Sequence, residues 1–482
     1  MNRVVIVGGG IAGLAAAYRL AQTAPDLPVS LLEGEARLGG KIVTERVDGF
    51  VIEGGPDSFL SLKPRGVGLC QALGLEARLR GPDPKFRRTY VMRGRRLHEL
   101  PEGLTGLIPT RLGPMARSGL ISPLGKLRMA LDYVLPPGAP NGDESLAAFV
   151  ERRLGRELYD RLIEPLMGGI YAGDGEQLSL AATFPQLRRA ELEHGGLIKG
   201  VLAERAKQPA AALDANRWPA FVTPASGVAE LVEALQQRLS GVDVRLGQRA
   251  TRVEAASAGY TVELETGERL DARAVIFATP AFATAELVSE IDSRAAAALR
   301  AIPYVSTATV SVAYPLADIP RPLAGYGYII PRAENLPVLA CTWTSTKFPH
   351  RAPPGFALIR AFIGRAGQEE ALQGTDDELL RLVRAELRRT LGISAAPIFH
   401  RLFRWPRAMP QYTLGHQARL AAIEQRLAAL PGLFVAGSSY RGIGLPDCIQ
   451  SGEQAAEAAL KFLLDSERDA GLVSGRRIEI GG

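Results

Sequence analysis

Three glycines near the N-terminus, Gly8, Gly10 and Gly13, stand in the spacing G-x-G-x-x-G within the run VVIVGGGIAGLAAAYRLAQ. That spacing serves the binding of a pyrophosphate. The first glycine lets the chain turn tightly, and the second lets backbone N–H groups approach the anion. The third lets a helix pack closely on a strand. The helix that follows would aim the positive end of its dipole at the same place. About twenty residues after Gly13, a second apolar run, VSLLE, ends in Glu33. A carboxylate there can accept from both hydroxyls of an adenosine ribose, and it would repel the additional phosphate of NADP. Strand, glycine turn, helix, strand and acid follow in the order that dinucleotide binding requires.

The continuation decides which dinucleotide. After Glu33 comes GEARLGGK, which places Arg37, Gly39, Gly40 and Lys41 together. Many FAD oxidoreductases carry an R-x-G-G signature here, along the flavin diphosphate and ribityl chain. Arg37 and Lys41 would bring charge to the phosphates, and the glycines would admit the cofactor closely. The cofactor expected is therefore FAD. The loop EGGPDSF (53–59) could reach the edge of the flavin ring, with Pro56 limiting its flexibility and Asp57 and Ser58 offering polar contacts. Other chemistries find little support. The five histidines (His98, His194, His350, His400, His416) form no HExxH or close pair, and no metal is expected. Cys70, Cys341 and Cys448 are odd in number and far apart, which points to a reducing compartment and a cytoplasmic location. No Ser/His/Asp triad or pair of acids stands out, so no catalytic base is assigned.

These residues need a scaffold, and the rest of the chain supplies one. A β-rich stretch, 242–279, reads as a small meander ending in the buried strand AVIFATP, a return into a nucleotide-binding sheet. A third piece begins near Leu433 with LFVAGSS and leads through a glycine loop into a final helix of about a dozen residues from Pro446. Helical periodicity appears around 145–166 and 187–206 and over 375–391, while TATVSVAYPL, VLACTWT and FALIRAFIG read as strands. The fold class expected is α/β, with a discontinuous Rossmann-like FAD-binding domain, a mixed-sheet substrate domain and a helical cap domain. The boundaries expected are 1–85 plus 222–298 plus 425–465 for the FAD-binding domain, 86–221 for the cap and 299–424 for the substrate domain, with a loose tail over 466–482. The chain of 482 residues carries +6 net charge without a polybasic run, which argues against a nucleic-acid partner. No apolar run reaches the roughly 18 residues of a spanning helix. The stretch 104–135 mixes apolar residues with Arg111, Arg117, Lys126 and Arg128; it reads either as an interfacial membrane segment or as the basic outer face of the cap.

Several strings are more specific. IPTRLGP, SGLISPLGKLRMALDYVLP, LIEPLMGGIYAGD, CTWTSTKFPH, MPQYTLGH and GIGLPDCI occur in order, and the chain resembles the protoporphyrinogen oxidase family over nearly its whole length. The resemblance is to the bacterial branch whose members act as coproporphyrinogen III oxidases, within the wider amine-oxidase/p-hydroxybenzoate-hydroxylase-like class. It implies that FAD lies on Gly8, Gly9, Gly10, Ile11, Ala12 and Gly13, with Glu33 and Gly34 at the ribose. Lys41 and the loop Gly55, Pro56, Asp57 and Ser58 would continue along the cofactor. Val253 would hold the adenine through its backbone, and Trp405 with Ile443, Gly444 and Leu445 would close over the ring. The eukaryotic members carry a basic residue where this chain has Asp57, which favours the bacterial substrate. The implied reaction is FAD- and dioxygen-dependent oxidation of a porphyrinogen to a porphyrin in haem biosynthesis, with release of hydrogen peroxide, peripheral membrane contact and hand-over to a ferrochelatase. Coproporphyrinogen III is the expected substrate and protoporphyrinogen IX the alternative. Such a tetrapyrrole needs cations for its propionates, and Lys63, Arg87 and Arg88 are the candidates. Tyr171, Trp343 and Tyr412 could line the cavity or be core residues. Because the loop AGSSYRG lacks cysteine and Cys448 falls at the helix start, the FAD should be non-covalent. An amine oxidase, a carotenoid desaturase, or a binding protein like the GDP dissociation inhibitors are the other readings of the same scaffold.

Overall fold

The run VVIV is the central strand of a five-stranded parallel sheet in the computed structural model, which describes residues 2–105, 107–139, 142–207 and 218–469. Across this sheet the strands run Asp243–Leu246, Val29–Glu33, Val4–Val7, Ala274–Phe277 and Leu433–Val435. Every pair is parallel. Both faces are covered, which is why Val4–Val7 and Ala274–Phe277 are apolar at every position rather than alternating. Val4, Ile6, Ala274 and Ile276 enter one core together with the helix Ile11–Thr23 and the final helix. Val5, Val7, Val275 and Phe277 enter a second core with the meander Ala250–Ala256, Gly259–Leu264 and Arg269–Ala272. The expected return strand AVIF thus lies beside the first strand. The final helix is longer than expected, Leu445–Asp469, because its apolar stripe continues through Ala455, Ala459 and Leu463. The tail expected from 466 is therefore helical as far as 469, and its remainder lies outside the described residues.

The second sheet has seven strands in the order Phe399–Pro410, Tyr304–Pro315, Phe356–Ile363, Val338–Trp343, Gly327–Ile329, Thr89–Arg93 and Arg96–Glu99. It is mixed, since Gly327–Ile329 pairs in parallel with Thr89–Arg93. The helix Asp376–Leu391 opens with a capping box between Thr375 and Glu378 and ends at Gly392 in the left-handed region. It covers one face of this sheet, meeting Val310, Val312, Ile359, Ala361 and Ile363 through Leu379, Val383 and Leu387. The opposite face meets Phe50 and Ile52 through Ala313 and Leu358, and Gly54 O through Thr309 and Arg360.

Residues 86–221 are not wholly helical. Thr89–Arg93 and Arg96–Glu99 form a hairpin around Gly94 and Arg95, both at positive φ, as a two-residue hairpin turn demands. Phe221–Pro224 is also a strand, paired with Phe59–Leu60 and Leu79–Arg80. The helical periodicity of 145–166 is broken in two places. Gly155 at φ 92° ends the helix Leu146–Leu154, and the turn Tyr159–Ile163 widens just before Pro165. A proline inside a helix lacks its N–H and crowds the carbonyl four residues earlier, and widening the turn relieves both. Pro185–His194 and Leu197–Lys207 are separate helices hinged at Gly195. Among the described residues no helix is long and apolar enough to cross a membrane.

Candidate active site

The loop Gly8–Gly13 leaves the central strand and opens the first helix. Gly8 sits at φ 109°, and a Cβ on it would come within 2.9 Å of the Ala278 carbonyl oxygen. A Cβ on Gly13 would lie 1.9 Å from the Gly8 oxygen, so helix and strand meet at this residue. Gly10 differs: nothing lies within 4 Å of a Cβ built there, and as N-cap of Ile11–Thr23 it makes no side-chain cap bond. An uncapped helix N-terminus beside open space fits a pyrophosphate. Gly39 donates its N–H to Gly9 O at 2.8 Å, and Gly40 at φ 55° lies against the Gly10 Cα. The two glycine turns thus lie against one another.

Glu33 fixes the same loop. Its Oε2 accepts from the Gly9 N–H at 2.8 Å and its Oε1 from the Glu35 N–H at 2.9 Å, and each oxygen retains a further lone pair. Gly34 packs beneath the Arg249 side chain. Val253 has its side chain in the core with Val5 and Leu32, on the edge strand of the meander, whose outer backbone groups face no strand partner. Arg37 holds the loop's shape by donating to the carbonyls of Leu38 (3.2 Å), Gly40 (2.6 Å) and Ile42 (3.1 Å). Its donors therefore go to the backbone. Lys41 runs inward and donates to Ala408 O; burial lowers its pKa.

The loop Glu53–Ser58 is held from beneath by the seven-stranded sheet. Gly54 O accepts from Trp405 Nε1 (2.8 Å), Thr309 Oγ1 (3.0 Å) and Arg360 Nη2 (3.0 Å), three donors on one carbonyl. Gly55 O accepts from the same Arg360 nitrogen at 2.6 Å, and a Cβ on Gly55 would fall 1.8 Å from Lys41 O. Glu53 is buried in an ion pair with Arg351 at 2.6 Å. Asp57 accepts from Ser58 Oγ (2.7 Å) and Lys347 Nζ (3.1 Å). Burial alone would raise its carboxyl, but the Lys347 and Arg360 charges and the hydroxyl hold it well below the ordinary carboxylate range.

The final loop leads from Ser438 to the last helix. Tyr412 donates its hydroxyl to Ser438 O (2.6 Å) and accepts from the Gly442 N–H (2.9 Å), while its ring stacks on His416 at 4.2 Å. Ile443, Gly444 and Leu445 follow at the helix start, where Asp447 accepts from the Gly444 N–H at 3.2 Å.

A family match spans this assembly from Ile11 onward. Residues 11–460 match the family described as flavin containing amine oxidoreductase. The chain belongs to this family. It is 38% identical over 467 residues to a coproporphyrinogen III oxidase of Bacillus subtilis, which covers 96% of this chain and 98% of that protein. A chloroplastic protoporphyrinogen oxidase of Nicotiana tabacum is 31% identical, over 95% of this chain and 85% of its own. Among solved structures, one assigned as a protoporphyrinogen oxidase, from Exiguobacterium sp. 255-15, has a TM-score of 0.84 at 32% identity and covers 95% of this chain and 99% of that one. The α/β fold with its mixed sheet and the flavin oxidoreductase class are those read from the sequence.

The charged candidates of this flavin oxidoreductase lie in different surroundings. Lys63 already has a carboxylate partner. It pairs with both carboxylate oxygens of Asp447 at 2.6 Å and clasps the helix Pro64–Ala72 to the last helix. Arg87 and Arg88 are exposed, and Arg88 lies 3.5 Å from Glu99; neither side chain bonds to another candidate. Trp343 is a core residue on the helix-covered face, against Tyr90 and Tyr328. Tyr171 packs on Phe184 and Tyr412 in the helical core. All three cysteines are free and buried. Sequence reasoning missed Arg360, Lys347 and Thr309. A single arginine inside the apolar run FALIRAFIG was a signal for the first, and CTWTSTKFPH already contained the second.

Proposed function

We propose that this flavin oxidoreductase binds FAD non-covalently and oxidises coproporphyrinogen III to coproporphyrin III, with dioxygen as electron acceptor and hydrogen peroxide as product. The observation that carries this is the likeness to the Bacillus subtilis enzyme over 96% of this chain and 98% of that protein. When bound, FAD supplies a two-electron acceptor for hydride, used three times for the six electrons between porphyrinogen and porphyrin. Gly8–Gly13 and the first helix would bind the pyrophosphate, and Glu33 the ribose. Arg37 would keep the Leu38–Ile42 turn in shape. The Gly55–Ser58 loop, Trp405 and Ile443–Leu445 would orient the ring, and the apolar interior would exclude water. Non-covalent attachment is supported by the chemistry of Cys448, whose thiol burial pushes up to about 12, leaving it protonated and inert. With the hairpin 89–99 moved to the seven-stranded sheet, the division into a discontinuous FAD-binding part, a substrate part and a helical part suits this reading.

Peripheral membrane contact belongs to the same proposal. Leu124, Leu127, Leu131 and Val134 are exposed along the helix Pro123–Ala130 and the turn after it. The test of function is direct. The purified protein should show flavin absorbance, release it on acid precipitation, and give a higher kcat/KM in air on coproporphyrinogen III than on protoporphyrinogen IX. The reverse preference would assign it the substrate of the Nicotiana tabacum relative. A yellow protein that oxidises neither macrocycle would overturn the proposal.

A further inference from the structure

Five ionised groups lie under and around the Glu53–Ser58 loop, and their charges do not cancel. Glu53 and Asp57 are negative, while Lys347, Arg351 and Arg360 are positive, which leaves one positive charge in excess. Glu53 is matched with Arg351 at 2.6 Å and Asp57 with Lys347 at 3.1 Å. Arg360 is the cation left over. It occupies the middle of the strand Phe356–Ile363, between Ser311 and Thr342 on the flanking strands, and is 3% exposed. Its Nη2 donates to the Gly54 and Gly55 carbonyls, and its Nε and Nη1 have no hydrogen-bond partner. No carboxylate forms an ion pair with it among the described residues; its plane rests over the Phe362 ring at 4.7 Å. An arginine keeps its proton under such conditions. Asp57 and Glu53 act on Arg360 only from beyond ion-pair distance, so the cluster keeps one positive charge in excess, and burying such an excess is costly.

We propose that Arg360 is a positioning residue that holds the Gly54–Gly55 turn and supplies an uncompensated buried charge, by which the protein favours the reduced over the oxidised flavin. The inference rests on the reading that the Gly55–Ser58 loop carries the flavin ring. In each turnover a C–H bond of the substrate breaks and its electron pair moves with the hydrogen to the ring. A pyrrole N–H releases its proton to water. Accepting hydride adds one negative charge to the ring. A fixed positive charge across a two-residue turn, in a medium of low dielectric, stabilises that negative charge far more strongly than water-screened surface residues would. Asp57, on the same loop, acts in the opposite sense.

The test is the two-electron midpoint potential of the bound flavin, measured by dye equilibration in the purified holoprotein and in Arg360→Met, Arg360→Lys and Asp57→Asn. The Met variant should lose tenfold or more of the preference for the reduced state, a fall of about 30 mV. The Lys variant should stay within twofold of wild type. Asp57→Asn should shift the potential upward. A Met variant at the wild-type potential would overturn the inference, as would Met and Asn variants that move the same way, since a purely structural role has no sign. If Arg360→Met purifies without flavin, the Lys and Asn variants decide: an unshifted Asp57→Asn, or a Lys variant displaced by tenfold, rejects it. A wild-type protein without flavin would instead remove the reading beneath it, and the two failures are told apart by absorbance alone.

Discussion

Gly10 and Gly13 are the same residue type three positions apart, yet they should fail differently. Alanine inside a helix is ordinarily favoured over glycine by about 1 kcal/mol. At Gly13 the added Cβ would lie 1.9 Å from the Gly8 oxygen, a backbone atom with nowhere to go. Gly13→Ala should therefore cost roughly 1–3 kcal/mol in overpacking and lower both the Tm of the apoprotein and its flavin content. Gly10→Ala meets no protein atom. Its apoprotein should melt near wild type while FAD affinity, measured by fluorescence titration, drops at least tenfold. Equal behaviour of the two variants would show that the space beside Gly10 is not the pyrophosphate site. A second residue gives a pH signature. Burial, with the Arg351 and Arg80 charges nearby, pulls the His350 imidazole down to about 4. Its folded pKa is depressed, so the stability it contributes is present above the unfolded value of about 6.5 and is lost as pH falls toward 4. Discounted for the solvent that screens a partly exposed ring, wild type should lose roughly 1–2 kcal/mol through this group over that window, and His350→Gln should flatten the corresponding part of the stability curve measured by urea titration at each pH. The glycine turns and Glu33 were legible in the sequence because their spacing is set by local backbone geometry. Lys63 and Arg360 were not, since a long side chain's partner is chosen by tertiary contact: Asp447 lies 384 positions from Lys63, and Gly54 lies 306 from Arg360.

Elements carry these residues, and two of them must approach unusually closely. The final helix crosses the first at Gly452, where a Cβ would stand 2.0 Å from Ala12 O. Ala12 lies in the first turn of the helix whose N-terminus faces the open space at Gly10. Gly452→Ala should push these helices apart, tilt that N-terminus, and reduce FAD affinity together with Tm, although residue 452 is on neither glycine loop. Retention of full FAD affinity in a variant with lowered Tm would mean that the loop, not the helix, sets the anion site. The strand AVIF could be read from sequence because a fully buried parallel strand is apolar throughout. The hairpin 89–99 was harder: its strands carry Arg93, Arg96 and His98, and Gly94–Arg95 was the one signal of a two-residue turn. The final helix was underestimated because AAEAALKFLLDSE has no stop signal and its length is set by what it packs against.

At the scale of the whole molecule, the exposed apolar stripe must be reconciled with an otherwise well-buried structure. Leu124 is 78% exposed, Leu127 64% and Val134 76%, and they recur at the spacing of one helix face. The opposite side of the same segment is anchored: Met129 is buried, and Arg128 donates to the carbonyls of Glu151, Arg152 and Arg153. Lys126 donates to Ala116 O at the surface. The stripe is thus fixed outward by Arg128 and Met129, and Arg128 and Lys126, already bonded to carbonyls, have limited freedom to meet anionic headgroups. Contact with a bilayer should therefore be driven more by apolar burial than by charge, at about 1–2 kcal/mol for each leucine inserted. Flotation with phosphatidylcholine vesicles should recover wild type, and adding anionic lipid should raise recovery only modestly and in a salt-sensitive way. Leu124→Glu with Leu127→Glu should leave the protein at the bottom of the gradient, with kcat on detergent-dispersed porphyrinogen unchanged, because the stripe lies on the outer surface and not at the flavin loops. Wild type that fails to float on either vesicle would remove the membrane from the proposal and leave the stripe as a contact for another protein.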